Sequence, residues 1–354
     1  MSLGHRLHMA LEHGVLTLPE TGRLAVFGPV AGSDMSSLPQ DRCDIISTFR
    51  PDKDHFEAQG WTCQLRAEGR YTLALVTVAR ARALTLSRLA EAASVCDGVL
   101  VVDGEKKDGV EAILKACRSI GETGASVSKS HGKLFTFSPG PDVASLRQTA
   151  PTRINGTYVT APGVFSSDDI DPGSALLAEK LPERLGPFLA DFGAGWGYLA
   201  NQALARQGVE KVYLVEAEHN ALDCARLNVV DPRADFHWAD VTNWQAPEPL
   251  DAVVMNPPFH IGRSADPSLG RAFIQAAARQ LKPRGALFMV ANRHLPYEAT
   301  LEKLFGRVDS LANHPQFKVL MASRPSNAGS RFVHRTGSRS GSRSGSRSGP
   351  RTDR

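Results

Sequence analysis

The residues best suited to chemistry begin at Asp191-Phe192-Gly193-Ala194-Gly195-Trp196-Gly197, straight after an apolar run and straight before a helical one. Glycines at such a turn let the backbone bend sharply and approach a ligand closely. A glycine triad alone marks only a tight turn, but Glu216 ends the next apolar run nineteen residues after Gly197. A carboxylate in that place can accept hydrogen bonds from both hydroxyls of a ribose. The spacing is GxGxG with an acid two residues ahead, not the GxGxxG of dinucleotide enzymes, and the lysine of a phosphate-binding loop is absent. An acid ahead of the glycines repels a pyrophosphate and suits an ammonium, which points to S-adenosylmethionine. Asp240 closes the third run, in His237-Trp238-Ala239-Asp240. It is placed either to accept from an adenine amino group or to cap a turn. The fourth run stops at Asn256-Pro257-Pro258-Phe259-His260. Asn256 offers a side-chain carbonyl to an amino group, and two prolines fix the backbone and expose its carbonyls. Phe259 offers a face on which a planar base can stack. The plainer alternative is a Pro-Pro turn beside a core phenylalanine.

These residues need a scaffold that brings the ends of four strands together. FLADF, KVYLVEA, ADFHWAD, LDAVVM and ALFMVAN read as strands, separated by the helical stretches NQALARQG, HNALDCARLNVV and SLGRAFIQAAARQL. Such alternation predicts a mostly parallel sheet with helices on both faces, and ligands then sit beyond the carboxyl ends of the strands. A segment rich in Pro, Gly, Ser and Thr, SPGPDVASLRQTAPTRINGTYVTAPG, divides the chain. The stretch GVLVVDGEKKDGVEAILKACRSIGETGASVSKSHGKLFTFS before it repeats the element order of GALFMVANRHLPYEATLEKLFGRVDSLANHPQFKVLMAS after it. His131-Gly132-Lys133 and His314-Pro315 fall at equivalent turns, so duplication is expected. A closing antiparallel hairpin is expected in each half, because a short turn cannot join parallel strands.

Composition limits the rest. With 42% hydrophobic and 22% charged residues among 354, the chain can bury large cores, which excludes disorder over its whole length. No apolar run approaches the ~18 residues that span a bilayer, and no secretory signal opens the chain. Five scattered cysteines without a CxxC pair argue against a disulfide framework or a metal site; a cytoplasmic protein is expected. From Arg331 onward seven arginines face one aspartate, so a chain of net charge +4 is left with −2 over its first 330 residues. The Gly-Ser-Arg tail is expected to be disordered, either a salt-sensitive arm for phosphates or a solubilising extension.

The stretches APGVFSSDDIDPGSALLAEKLP, DFGAGWGYLA, NPPFH and VANRHLPYE, between about Thr160 and Ser323, resemble the class I S-adenosylmethionine-dependent methyltransferases. Members of that class acting on amino groups carry (N/D)PP(F/Y/W). More closely, the chain is similar to the RsmC-type ribosomal RNA guanine-N2 methyltransferases. The resemblance implies two tandem Rossmann-like methyltransferase domains in the α/β class, each a mostly parallel sheet with a closing hairpin. Residues 1–150 would be the degenerate copy, structural and RNA-binding; 151–326 the catalytic domain; 327–354 the tail. Asp191, Gly193, Gly195 and Gly197 would hold the methionine and ribose side of S-adenosylmethionine, Glu216 the ribose hydroxyls and Asp240 the adenine. Phe165 and Ser166 would cover the cofactor. Asn256 and the Pro257 carbonyl would hold the guanine amino group, in a turn completed by Pro258, with Phe259 stacked on the base. Trp196 is bulkier than the small residue expected in that loop. Arg293 either meets RNA phosphate or pairs with Glu298. Ribosomal RNA or a ribosomal subunit is the implied partner, with no membrane, and the protein is expected to be a monomer. The alternatives are an amino-group methyltransferase for DNA adenine or protein glutamine, and an RNA-binding assembly factor that no longer catalyses.

Overall fold

The computed structural model describes residues 2–147, 152–258, 260–261, 264–265 and 267–326. The tail and the side chain of Phe259, both singled out above, lie outside the described residues. The first half starts with α1 (Ser2–Glu12) and forms β1 (Leu24–Phe27), β2 (Cys43–Ile46), α2 (Arg50–Ala58), β3 (Thr62–Gln64), β4 (Tyr71–Thr77) and α3 (Arg82–Val95). It continues with β5 (Cys96–Glu105), α4 (Val110–Ile120), β6 (Gly121–Lys129) and β7 (Gly132–Pro139). A small hairpin, β8 (Thr152–Ile154) with β9 (Tyr158–Thr160), leads to α5 (Pro172–Lys180). The second half follows with β10 (Phe188–Phe192), α6 (Tyr198–Leu204), β11 (Lys211–Glu216), α7 (His219–Asn228), β12 (Ala234–Trp238) and β13 (Leu250–Met255). It ends with the two-residue pair β14 (His260–Ile261) and β15 (Ser264–Ala265), α8 (Pro267–Gln280), β16 (Leu281–Asn292), α9 (Glu298–Leu304), β17 (Phe305–Asn313) and β18 (Phe317–Pro325).

Each half is one seven-stranded sheet, ordered β3-β2-β1-β4-β5-β7-β6 and β12-β11-β10-β13-β16-β18-β17. Pairings are parallel through β5 and β16 and antiparallel in the last two strands. Two tandem Rossmann-like domains with closing hairpins are therefore present as the sequence predicted. Central strands such as LAVF and AVVM are apolar in consecutive residues because helices cover both faces of the sheet. In the first hairpin, Ser130 and His131 take positive φ, the geometry of a tight turn between twisted strands.

The ladders align the two halves residue by residue. Phe27 pairs with Ile46 and Val76 as Phe192 pairs with Val215 and Met255. The Gly28 N–H donates to the Ile46 carbonyl at 2.8 Å, and the Gly193 N–H to the Val215 carbonyl at 2.9 Å. By this register Val26 stands where Asp191 does, Ser47 where Glu216 does and Thr77 where Asn256 does. The β2–β3 and β11–β12 ladders place Ala67 opposite Asp240 in the same way. The first half has none of those carboxylates and no amide in the place of Asn256, and a 3₁₀ turn at Gln40–Arg42 lies between β1 and β2, where the second half has α6.

The halves meet through equivalent loops. The Arg50 N–H donates to the Ala217 carbonyl at 2.8 Å and the His219 N–H to the Thr48 carbonyl at 2.9 Å. Between them Phe49 forms an antiparallel bridge with Glu218, its counterpart by register. A patch meeting its own copy is the geometry of a two-fold dimer interface, here inside one chain.

Candidate functional site

The glycine loop leaves the end of β10, at the carboxyl edge of the second sheet. Gly193, Gly195 and Gly197 have φ of +72°, +55° and +91°, left-handed conformations that favour glycine. Two of them have further reasons. A Cβ on Gly197 would meet Val229 at 2.6 Å, where α7 packs, while one on Gly195 would meet nothing within 4 Å. The backbone at Gly195 thus presents an open face.

Beside that face lies a small cleft of about 40 Å³, lined by Phe165, Ser166, Asp171, Ser174, the loop from Gly193 to Trp196, and Asn256. Phe165 is an exposed aromatic at its edge and Ser166 has a φ of +52°. The indole N–H of Trp196 donates to the Phe165 carbonyl at 3.2 Å, and its ring packs on Tyr158 with centroids 4.8 Å apart. The bulky residue in the loop is therefore a strut: its side chain is buried in a satellite core and ties the Phe165–Ser166 segment to the glycines.

None of the three expected cofactor carboxylates lines this cleft. Asp191 lies fully buried in β10, and neither carboxylate oxygen has a hydrogen-bond partner among the described residues. Burial pushes its pKa up to about 8; the nearby Ala200 backbone amide opposes this slightly and the charge of Glu216 adds to it. A buried, unpaired carboxylate is costly, so burial favours its neutral, protonated form. Glu216 accepts from the Gly195 N–H and the Glu218 N–H, both at 2.8 Å. Burial raises its pKa, and these backbone N–H groups offset part of that rise. Asp240 accepts from the Thr242 N–H at 2.8 Å, so it does cap a turn. One of its oxygens also faces the Asn243 amide at 3.4 Å.

Asn256 follows β13 and reaches the cleft from the opposite side. Its amide nitrogen donates to Asp171 Oδ2 at 2.9 Å and to Ser174 Oγ at 2.8 Å. Both hydrogens are spent there, which leaves Oδ1 as an acceptor at the cleft. Asp171 also caps α5, accepting from the Ser174 N–H at 2.7 Å. The sequence analysis missed Asp171 and Ser174 as site residues. Asp-Pro-Gly-Ser does announce a helix start, but that the cap carboxylate turns back onto the end of β13 is a tertiary fact. Pro257 is buried and Pro258 exposed beyond it. Of the two roles open to Arg293, the pair with Glu298 is not formed: Glu298 pairs with Lys318, whose ammonium also reaches the Leu295 carbonyl at 2.6 Å. Arg293 instead points to the His314 carbonyl at 3.5 Å. Among the described residues no cluster of three or more His, Cys, Asp or Glu side chains could hold a metal, and no helix is long and apolar enough to cross a membrane.

The orphaned Asp191, the open Gly195 backbone and Glu216 at the end of β11 are compatible with the cationic, nucleoside-containing S-adenosylmethionine. Comparison with known proteins agrees. Residues 155–321 match the methyltransferase small domain family. The chain is 31% identical over 320 residues to ribosomal RNA small subunit methyltransferase C of Pseudomonas aeruginosa (strain UCBPP-PA14), covering 85% of this chain and 94% of that one. It is 30% identical over 247 residues to ribosomal RNA large subunit methyltransferase G of Shewanella amazonensis, covering 64% of that protein. Among solved structures it resembles the T. thermophilus 16S rRNA guanine-N2 methyltransferase RsmC in complex with AdoMet and guanosine. There the TM-score is 0.74 at 28% identity, over 90% of this chain and 91% of the other.

Proposed function

From the premise that this chain belongs to the RsmC-type ribosomal RNA methyltransferases, which work with S-adenosylmethionine, we propose that it methylates the exocyclic 2-amino group of a guanine in small-subunit ribosomal RNA. The observation that carries this reading is the clamped Asn256: Asp171 and Ser174 hold its amide so that an acceptor, not a donor, faces the cleft. An acceptor is what an exocyclic amine requires.

The cofactor, when bound, supplies a methyl group on a sulfonium, a leaving group that needs no metal and no nucleophilic side chain. The protein's task is then positional. Asp191 would take the ammonium, Glu216 the ribose hydroxyls and Asp240 the adenine amino group, with Phe165 and Ser166 covering the cofactor. Asn256 Oδ1 and the Pro257 carbonyl take the two amino hydrogens and hold the nitrogen in line with the methyl carbon. Fixing those hydrogens also favours a more localised lone pair on an amine otherwise delocalised into its ring. Phe259 is the stacking face for the base, which leaves its own stack at a cost of a few kcal/mol. The first half serves as structural partner and RNA-binding surface, and the enzyme acts as a cytoplasmic monomer. The guanine named for the T. thermophilus relative, at position 1207 of 16S rRNA, is the first candidate target.

The likeness to a large-subunit enzyme makes the other subunit the alternative substrate. Incubation with methyl-labelled S-adenosylmethionine and separated small subunits, large subunits and protein-free RNAs tests the choice. Label in small-subunit RNA is expected; label confined to large-subunit RNA would overturn the assignment.

A further inference from the structure

The first half keeps the outline of the cofactor cleft, lacks its three carboxylates and brings arginines to it. Val26, Ser47 and Ala67 replace the three carboxylates, while Gly28 remains in the place of Gly193. α3 and α8 each run 14 residues straight into the next strand, so Arg88 holds the place of Phe273. In the second half a Cβ on Gly193 would touch the Phe273 ring at 3.4 Å; in the first, the Arg88 guanidinium lies so close to Gly28 that a Cβ there would overlap it. Phe273 belongs to a packed core cluster. Beside Arg88 there is instead a cavity of about 120 Å³, lined by Arg66, Arg88, Arg147, Glu91, Thr48 and Asn220 among others. Asn220 begins α7 of the second half, so the cavity opens at the joint between the halves.

Arg88 is partly balanced by the charges of Glu218, Asp52 and Glu91. Arg66 and Arg147 are exposed, and among the described residues their side chains make no hydrogen bond or ion pair. The cavity lining carries three guanidiniums and one glutamate, and Glu218 and Asp52 balance Arg88 as well, so the guanidiniums left to meet an anion are those of Arg66 and Arg147, whose planar forks match phosphate oxygens. Thr48 and Asn220 add neutral donors.

We propose that this vestigial cleft is an anion site that grips a backbone phosphate of the RNA strand whose guanine enters the second half. The proposal rests on the RNA-substrate reading above. Its test compares wild type with the Arg66→Ala/Arg147→Ala double variant, whose side chains are exposed, and with Arg88→Met. Binding of a fluorescein-labelled oligoribonucleotide is followed against salt, S-adenosylmethionine affinity is measured by calorimetry, and inorganic pyrophosphate is titrated as a competitor. The double variant should bind RNA roughly tenfold more weakly, with a salt slope shallower by about 0.7, the value for one phosphate contact on a single strand. Its cofactor affinity should be unchanged, and pyrophosphate should displace RNA from wild type. Unchanged RNA affinity and slope in all variants, while wild type still methylates RNA, would overturn this proposal alone. Pyrophosphate binding without an effect of the variants on RNA would also overturn it, leaving a site for small anions. A wild type that neither binds nor methylates RNA would overturn the substrate reading itself.

Discussion

Asn256 is useful only while its amide points one way, and two neighbours enforce that. Asp171→Ala removes both the clamp and the helix cap. It should lower kcat by roughly tenfold to a hundredfold, in line with the cost of misplacing a reacting group, and cost about 1 kcal/mol of stability from the lost cap. Asp171→Asn keeps an acceptor and should recover most of kcat; equal loss in both variants would mean that charge, not orientation, matters. Asn256→Ala should reduce turnover a hundredfold or more, about the cost of one lost transition-state contact, and leave cofactor affinity within a few-fold. A large loss of cofactor binding would move the residue from the base to the cofactor. Asp191 supplies a pH signature. Its folded pKa is about 8, against about 4 for an ordinary carboxylate. Between these values the folded chain holds a proton that the unfolded chain releases. Its contribution therefore falls by about 1.4 kcal/mol per unit as pH rises toward 8. Denaturant unfolding across that range should show the decline, and Asp191→Asn should flatten it. Because an ammonium beside Asp191 favours the carboxylate, cofactor binding near neutral pH should release a proton. Calorimetry in two buffers of different ionisation enthalpy should detect this in wild type and not in Asp191→Asn.

At the scale of elements, the loop after β11 follows Glu216 directly and is braced from the first half. The indole N–H of Trp238 donates to the Ala217 carbonyl at 2.8 Å and faces the Thr48 carbonyl at 3.2 Å, while the Arg50 guanidinium lies 5.3 Å from the ring centroid. Trp238→Phe keeps the ring and removes the donor. One net hydrogen bond is about 1 kcal/mol, so a roughly fivefold loss of cofactor affinity is expected by titration. No change would show that the loop holds its shape without the brace. The sequence made most of these elements legible, because β10, β11 and β13 are continuous apolar runs ending at Gly193, Glu216 and Asn256. It did not reveal that Asp171 closes onto Asn256 across 85 residues, since a cap signature says where a helix starts and nothing of what else the capping oxygen meets. Arg293 shows the same limit. Its spacing from Glu298 suited a pair, but β18 delivers Lys318 to that glutamate from the neighbouring strand.

For the whole molecule, two copies of one sheet face each other across a near two-fold joint at Phe49 and Glu218. The duplication could be read from repeated element order. The joint could not, because Ser47-Thr48-Phe49-Arg50 carries no motif and gains its meaning from pairing with Ala217 and His219. Removal of the chain beyond residue 326, whose arginines dominate the net charge, should make the salt dependence of RNA binding shallower. An unaltered slope would identify the tail as a solubilising extension.

The most direct single measurement is calorimetric titration of the full chain with S-adenosylmethionine, beside Glu216→Ala. A stoichiometry of one per chain, with affinity weakened at least tenfold in the variant, is expected if the second half alone kept the cofactor site through the carboxylate that ends β11. Two sites per chain, or an unchanged affinity in Glu216→Ala, would contradict it.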